Sequence, residues 1–391
     1  MATVRRVPES DFERYRRLID YGFMPEDGPP GPDREIPDRI ADRYGVYDTQ
    51  GRLVTTGALY ELEARLRETW VTLGGLAAVS TPPEHRRGGN ARLICTELLE
   101  ECRDRGIGLT ALWPFDHAFY RQFGWALANT YTTYEAPPAQ LASAGTTERG
   151  RYEEVGPDDW QRLEAVQRAH GEGTTLSRKR SEAWWRRRTF DHGDETPWAY
   201  AWLENGDLRG YVVYSFERRA EGGRRLEVSD FSAADRTARR HLLGLLGRHD
   251  TQAQVVQLKL AAESSLLETV ADPGEVKCSI RAGPMVRICD VPRALEACPY
   301  PDHVETQVVF EVRDPLSVVD GQYELTVSDG TSECAPTTGD VDATADVGTL
   351  SQLVVGAREV GDLEELDCES DIETRLERVF PTTTVCLREF F

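Results

Sequence analysis

Lysine is nearly missing from this chain of 391 residues: Lys179, Lys259 and Lys277 are the only ones, and arginine carries the rest of the positive charge. Against 67 Asp and Glu stand 46 Lys and Arg, a formal net charge of −21. Two readings fit. Dense carboxylates can hold water and cations at a surface adapted to high salt, the halophilic pattern, or the protein is simply acidic. Either way the net field repels nucleic acid and excludes it as a partner. The same field favours a cationic substrate, though salt shortens its reach.

Long apolar runs are also missing, so no segment is expected to span a bilayer. The first fifteen residues, MATVRRVPESDFERY, lack the apolar core of a signal peptide. The expectation is a soluble, cytoplasmic protein with no membrane partner. The cysteines at 95, 102, 278, 289, 298, 334, 368 and 386 contain no CxxC pair. Disulfide frameworks and zinc sites want tighter spacing or secretion, so reduced, buried thiols are expected. The seven histidines form no HExxH pattern, and no metal is expected.

The length suits two or three domains. Three blocks emerge, 1–136, 151–291 and 292–391, with turn-rich junctions at 137–150 and 292–301. In the first block a helix is expected over 10–21, with Ser10-Asp11 as its cap. A Gly/Pro-rich loop at 25–37 could cover a site. Strands are expected at 44–47, 53–61 and 68–81. Ala91, Ile94, Cys95, Leu98 and Cys102 then fall on one helical face, predicting a helix over 91–105. A buried strand at 109–113, a helical turn at 118–122 and a last strand at 125–134 complete the block. The second block repeats this layout weakly: helix 158–169, hairpin 198–203 and 209–216 across Asn205-Gly206, strand 226–231, helix 237–248, strand 255–260. In the third block, strands are expected at 303–312 and 322–327 and a helix starting over 350–356. Ser370 and Glu373 form a capping box opening a helix to 379, and the tail 382–391 reads extended and apolar. The class is α/β, a mixed sheet of the α+β kind.

The segment that carries chemistry runs from Val79-Ser80-Thr81 through Pro82 to Arg86-Arg87-Gly88-Gly89-Asn90-Ala91-Arg92. A buried strand leads into a Gly-rich loop and a helix start. Free N–H groups at such a start, aided by the helix dipole, can hold a pyrophosphate. Gly88 and Gly89 permit close backbone approach, and Arg86 and Arg87 add charge. The Walker pattern and GxGxxG are both absent. What is present is Arg-x-x-Gly-x-Ala, at Arg86, Gly89 and Ala91, which resembles the CoA-pyrophosphate loop of the GNAT acetyltransferases. One helix and one strand later comes Phe119-Tyr120-Arg121-Gln122-Phe123-Gly124-Trp125. It is similar to the GNAT segment whose tyrosine protonates the departing thiolate. Tyr120 could also be a packing aromatic beside Phe119 and Phe123.

Length, the weak second copy, the third block and the Phe391 terminus make the whole chain similar to the enhanced-intracellular-survival (Eis) acetyltransferases. That resemblance implies two tandem GNAT-like domains, the second degenerate, followed by a sterol-carrier-protein-like domain. It implies acetyl-CoA as co-substrate and an amine acceptor, either a small molecule such as a polyamine or aminoglycoside, or lysine. Homo-oligomers, as hexamers, are implied too. The residues implied are Tyr120 as general acid and the α-carboxylate of Phe391 as general base. Acetyl-CoA contacts are implied at Val79 to Thr81, at Arg87 to Arg92, and near Phe115 and Asp116. Glu389 is an alternative base, and Asp20, Glu26 or Asp27 could orient the amine. In the second copy the matching turn reads Phe231-Ser232-Ala233-Ala234-Asp235-Arg236, with no glycine and with an acid that would repel phosphate. Two other readings remain open: an apolar-ligand carrier built on the third block, and a structural oligomer without activity.

Overall fold

The computed structural model describes residues 2–28, 40–142, 149–191, 196–220, 222–262 and 264–391. Residues 29–37 of the expected loop lie outside these. The chain divides into two compact units: Met1–Asn129, Thr174–Leu176 and Pro284–Phe391 form one, Thr130–Gly173 and Ser177–Gly283 the other.

The first unit opens with β1 (Thr3–Arg6), α1 (Phe12–Phe23), β2 (Asp42–Tyr47), β3 (Leu53–Leu66) and β4 (Thr69–Ser80). It continues with α2 (Asn90–Asp104), β5 (Leu109–Leu112), α3 (His117–Arg121) and β6 (Ala126–Leu127). Sheet order is β1-β2-β3-β4-β5, then the strand Met285–Ile288, then β6. Only β4 and β5 are parallel in this path, joined through α2. Of the expected apolar face of α2, Ile94, Cys95, Leu98 and Cys102 are buried and Ala91 is half-buried, while Leu99 is buried beside them. Glycines let the helix sit close. A Cβ at Gly74 would stand 2.7 Å from the Cys102 sulfur, and one at Gly57 2.9 Å from Ile94.

The strand expected over 125–134 is two strands in two sheets. β6 pairs with Met285–Ile288 in the first unit, whereas β7 (Thr130–Ala136) pairs with Val255–Ala261 in the second. Apolar alternation reads locally and does not register which sheet a strand joins.

The third block forms a second sheet in the first unit, in the order Thr331–Pro336, Gly321–Ser328, Thr306–Arg313, Ala343–Asp346, Leu366–Cys368. Its helix is Val347–Val355, which starts earlier than expected because Asp346 caps it by accepting the Thr349 N–H. Ser351 accepts the Ile288 N–H at 2.8 Å and Gln352 donates to the Leu127 carbonyl at 2.9 Å, so this helix is bonded to the first sheet. The junction 292–301 contains a short helix, Val291–Glu296, capped by Asp290 with proline in its first turn. Two expected caps are not formed. The last helix, Ser370–Val379, is preceded by Glu369 without a side-chain cap, and α1 starts after a 3-10 turn at Glu9–Asp11. Asp11 instead accepts the Tyr47 hydroxyl at 2.8 Å.

The second unit is one sheet: Lys277–Ala282, β7, Val255–Ala261, Arg224–Ala233, Asp207–Arg218, Trp198–Glu204, Arg151–Glu154. Arg224–Ala233 and Val255–Ala261 are parallel, joined through the helix Arg236–Gly247. Strand–helix–strand recurs as the sequence suggested, and the hairpin turns at Asn205 and Gly206, both with positive φ.

Candidate active site

Pairing between β4 and β5 runs from Leu73 opposite Leu109 to Leu76 opposite Leu112 and stops. β5 ends there, while β4 continues to Ser80. Both strands point the same way, so the site lies beyond this shared end. β4 is also irregular there. Ala77 faces Ala58 and Ser80 faces Thr56, so Ala78 and Val79 together face the single residue Gly57. This is a β-bulge, a device that re-aims backbone groups. Ala78 takes φ 56°, and Thr56 holds it by donating to its carbonyl at 2.7 Å. Ser80 donates to the Leu18 carbonyl at 2.6 Å, and the Thr55 and Thr81 hydroxyls lie 3.0 Å apart. Ser80 and Thr81 are thereby held in place, with Val79 in the bulge before them.

After one 3-10 turn at Pro83–His85 the chain enters α2 through two left-handed residues, Arg87 at φ 62° and Gly89 at φ 78°. A left-handed conformation costs a non-glycine residue about 1–2 kcal/mol, and such strain gathers at functional sites. A Cβ at Gly89 would meet nothing within 4 Å, so its surroundings are open. No side chain caps α2. The Asn90 amide turns away and donates to the His85 carbonyl at 3.1 Å. Arg86 and Arg87 are exposed, Arg86 bracing the loop by a 2.9 Å bond to the Thr81 carbonyl. An uncapped helix start behind an open glycine and exposed arginines fits the phosphates of a CoA thioester. Gly88 and Ala91 flank that start. Arg92 is held otherwise: its guanidinium donates to the Pro315 carbonyl of the third block.

Beyond β5, Asp116 caps α3 by accepting the N–H groups of Ala118 and Phe119 at 2.8 and 3.2 Å. Phe115 is exposed. Tyr120 is 5% exposed, with ring centroids of Phe119, Phe115 and Trp125 at 5.1, 5.7 and 6.0 Å. Its carbonyl accepts from the N–H groups of Phe123 and Trp125. Burial pushes the phenol well above its ordinary value, and the neighbouring Cys95 adds to that, so the Tyr120 hydroxyl stays protonated.

The tail is fastened along its length. The Pro381 carbonyl accepts from Arg67 at 2.7 Å, Thr384–Val385 pairs with Thr174–Thr175, and the Leu387 N–H donates to Asn129 at 3.0 Å. The Trp113 indole, one residue past β5, donates to the Glu389 carbonyl at 2.7 Å. Phe391 is 7% exposed, its ring 5.8 Å from that of Tyr60. A Cβ at Gly75 would stand 2.9 Å from this ring. Neighbours on a strand face opposite ways: Gly74 faces α2 and Gly75 faces the last residue. Apart from Thr384–Val385 the tail is irregular, held by side chains where an extended tail was expected.

In the second unit the equivalent helix start is occupied by its own chain. Asp235 accepts the Ala238 N–H at 2.8 Å and pairs with Arg209 at 2.5 Å.

Three family profiles match the chain: Acetyltransferase (GNAT) domain over residues 3–128, a further Acetyltransferase (GNAT) domain over 177–288, and Sterol carrier protein domain over 291–388. An uncharacterized N-acetyltransferase of Streptomyces griseus is 25% identical over 394 residues, covering 93% of this chain and 92% of that protein. The N-acetyltransferase Eis of Mycobacterium tuberculosis is 26% identical over 344 residues, covering 80% and 78%. The chain is a GNAT N-acetyltransferase, similar over most of its length to the Eis enzymes. The crystal structure of Eis1 from Mycobacterium abscessus shares the fold, with TM-score 0.78 at 22% identity over 100% of both chains. The GNAT fold implies acetyl-CoA as co-substrate, and N-acetyl transfer implies an amine as acceptor. Among the described residues no three His, Cys, Asp or Glu gather as a metal site, and no helix is long and apolar enough to cross a membrane.

The residues that hold the tail carry no local signal in the sequence. Arg67, Trp113 and Asn129 each lie more than 250 positions from their tail partners. No local pattern marks such contacts. The one exception is Trp113 itself, a large aromatic at the end of a fully buried strand.

Proposed function

We propose that the protein transfers the acetyl group of acetyl-CoA directly to a primary amine, with Tyr120 as general acid and the Phe391 α-carboxylate as general base. The observation that carries this is the seat of Phe391: the terminal ring lies on Gly75 and Tyr60, one residue before β4 and β5 cease to pair. The loop from Arg86 to Ala91 and the bulged residues Val79 to Thr81 hold the co-substrate, with Phe115 and Asp116 beside it. Arg92 supports the loop from behind. Acetyl-CoA supplies an acyl group on a good leaving thiol.

The chain's own groups handle the protons. Alkyl amines are mostly protonated at neutral pH, so a base must free the attacking nitrogen. A terminal carboxylate ordinarily ionises near pH 3.5 and gains basicity only where water is excluded. The Phe391 carboxylate takes the amine proton, a main-chain N–H at Val79 polarises the acyl carbonyl, and the Tyr120 hydroxyl gives its proton to the departing sulfur. The negative surface draws in a cationic acceptor, a polyamine, an aminoglycoside-like molecule or a lysine. Assembly as a hexamer belongs to the same reading.

The test is thiol release from acetyl-CoA with a panel of such amines. Release matched by acetylated amine is expected. No release with any primary amine, from protein that binds acetyl-CoA, would contradict the reading.

A further inference from the structure

Arg287 and Asp314 form an ion pair at 2.5 Å with both side chains 0% exposed. A fully buried pair adds little stability over apolar residues of the same size. Its placement is specific, however. Arg287 donates through Nε to the Phe123 carbonyl at 2.9 Å and lies 5.4 Å from the centre of the Trp125 ring. Phe123 and Trp125 are the residues whose N–H groups bond to the Tyr120 carbonyl. The turn between them is tightly fitted: a Cβ at Gly124 would stand 2.5 Å from Val347 and 3.1 Å from Arg287 Nε.

Asp314 begins a loop of the sterol carrier protein domain. Its carboxylate accepts the N–H groups of Leu316, Val318 and Val319 at 2.8–2.9 Å, and its own N–H donates to Asp320. The loop's outward carbonyls grip α2 at both ends. Pro315 accepts from Arg92 in the first turn, and Val318 accepts from Arg103 in the last at 3.0 Å. One loop of the third domain thus touches both the helix that begins at the phosphate loop and the turn that carries Tyr120.

We propose that Asp314 and Arg287 are positioning residues for acyl transfer: the loop 314–320 fixes the Tyr120 turn relative to the start of α2. This rests on Tyr120 as general acid. It gives the sterol carrier protein domain a part in catalysis that needs no lipid. Displacement of a catalytic group by about 1 Å can lower a rate about a hundredfold.

The test uses the full-length protein. Asp314→Asn removes the charge that orders the loop. Arg287→Lys keeps a paired cation but not the fork that reaches Phe123, and carries the test if Asp314→Asn does not fold. Both variants are expected to bind acetyl-CoA within about twofold of wild type by calorimetry and to lose about tenfold or more in kcat. In a Tyr120→Phe background the same substitutions should cost nothing further. A folded variant with wild-type kcat overturns the proposal, as does an equal loss in the Tyr120→Phe background, which marks a purely structural pair. If Tyr120→Phe alone keeps wild-type kcat, the general-acid reading fails first and takes the positioning role with it.

Discussion

Trp113 donates its indole N–H to the carbonyl of Glu389, 2.7 Å away and two residues before Phe391. The same indole packs against Phe390, ring centroids 5.7 Å apart. β5 thereby fixes the last turn of the tail from its own end. Trp113→Phe keeps an aromatic and removes the donor. It should lower kcat about tenfold, as expected when a catalytic group loses its orientation, while acetyl-CoA affinity measured by calorimetry stays near wild type. Equal loss of binding and turnover would mean that Trp113 serves the co-substrate rather than the tail.

Gly75→Ala probes the same seat from the other side. The added methyl would stand 2.9 Å from both the Phe391 ring and Leu62. Leu62 sits mid-strand in β3, whereas Phe391 lies outside any strand, so the terminal residue should shift. We expect kcat to fall with the melting temperature lowered only slightly. Unchanged kcat would show that the ring's seat does not govern the reaction.

The proposed phosphate loop answers to binding. Gly89 takes φ 78° in open space. Gly89→Asp places a carboxylate where phosphates are proposed and strains the backbone. Arg87→Glu reverses a nearby charge. Each should weaken acetyl-CoA binding at least tenfold, as titration calorimetry would show. Asp235→Asn in the second unit should create no second site. Unchanged affinity in both loop variants would remove the assignment.

Tyr120→Phe keeps the ring contacts and removes the proton. A loss in kcat of about a hundredfold or more is expected with acetyl-CoA affinity kept. Because burial raises the Tyr120 phenol, it remains protonated through pH 10. A fall in rate between pH 8 and 10 that vanishes in Tyr120→Phe would contradict that.

Acid should weaken the Arg287–Asp314 pair in a defined window. Burial alone would raise the Asp314 carboxyl, but Arg287 and the Leu316 and Val319 N–H groups outweigh it and hold it below the usual range. A carboxylate lowered by folding contributes stability above its unfolded value, about pH 3.9. That contribution is lost as pH falls through the folded value. The difference in melting temperature between wild type and Asp314→Asn should be constant from pH 5 to 7 and shrink below about pH 4. A difference that fades already above pH 5 would count against the pair as the source.

The fold and the loop were legible because their signals are local. The five apolar positions of α2 repeat at helical spacing, and Arg86, Gly89 and Ala91 stand where that helix begins. Tyr120 is singled out by its neighbours in sequence. What stayed hidden depends on residues far apart. The split between β6 and β7 is decided by which sheet each strand meets. Asp11 and Ser370 look like caps, yet Asp11 accepts from Tyr47 and Glu369 precedes the last helix. Asp314 lies in a loop with no motif, and its meaning comes from Arg287, which lies 27 positions away.

The most direct test of the proposed chemistry is to extend the chain by one glycine after Phe391. Both terminal rings stay in place, and the carboxylate moves by about 3.3 Å along an extended chain. That exceeds what proton transfer tolerates. The measurement is kcat for acetyl transfer to an amine that the wild type acetylates, with acetyl-CoA affinity as control. With the Phe391 carboxylate as base, kcat should fall about a hundredfold at unchanged affinity, and a glycine-extended protein that turns over at the wild-type rate would contradict that role.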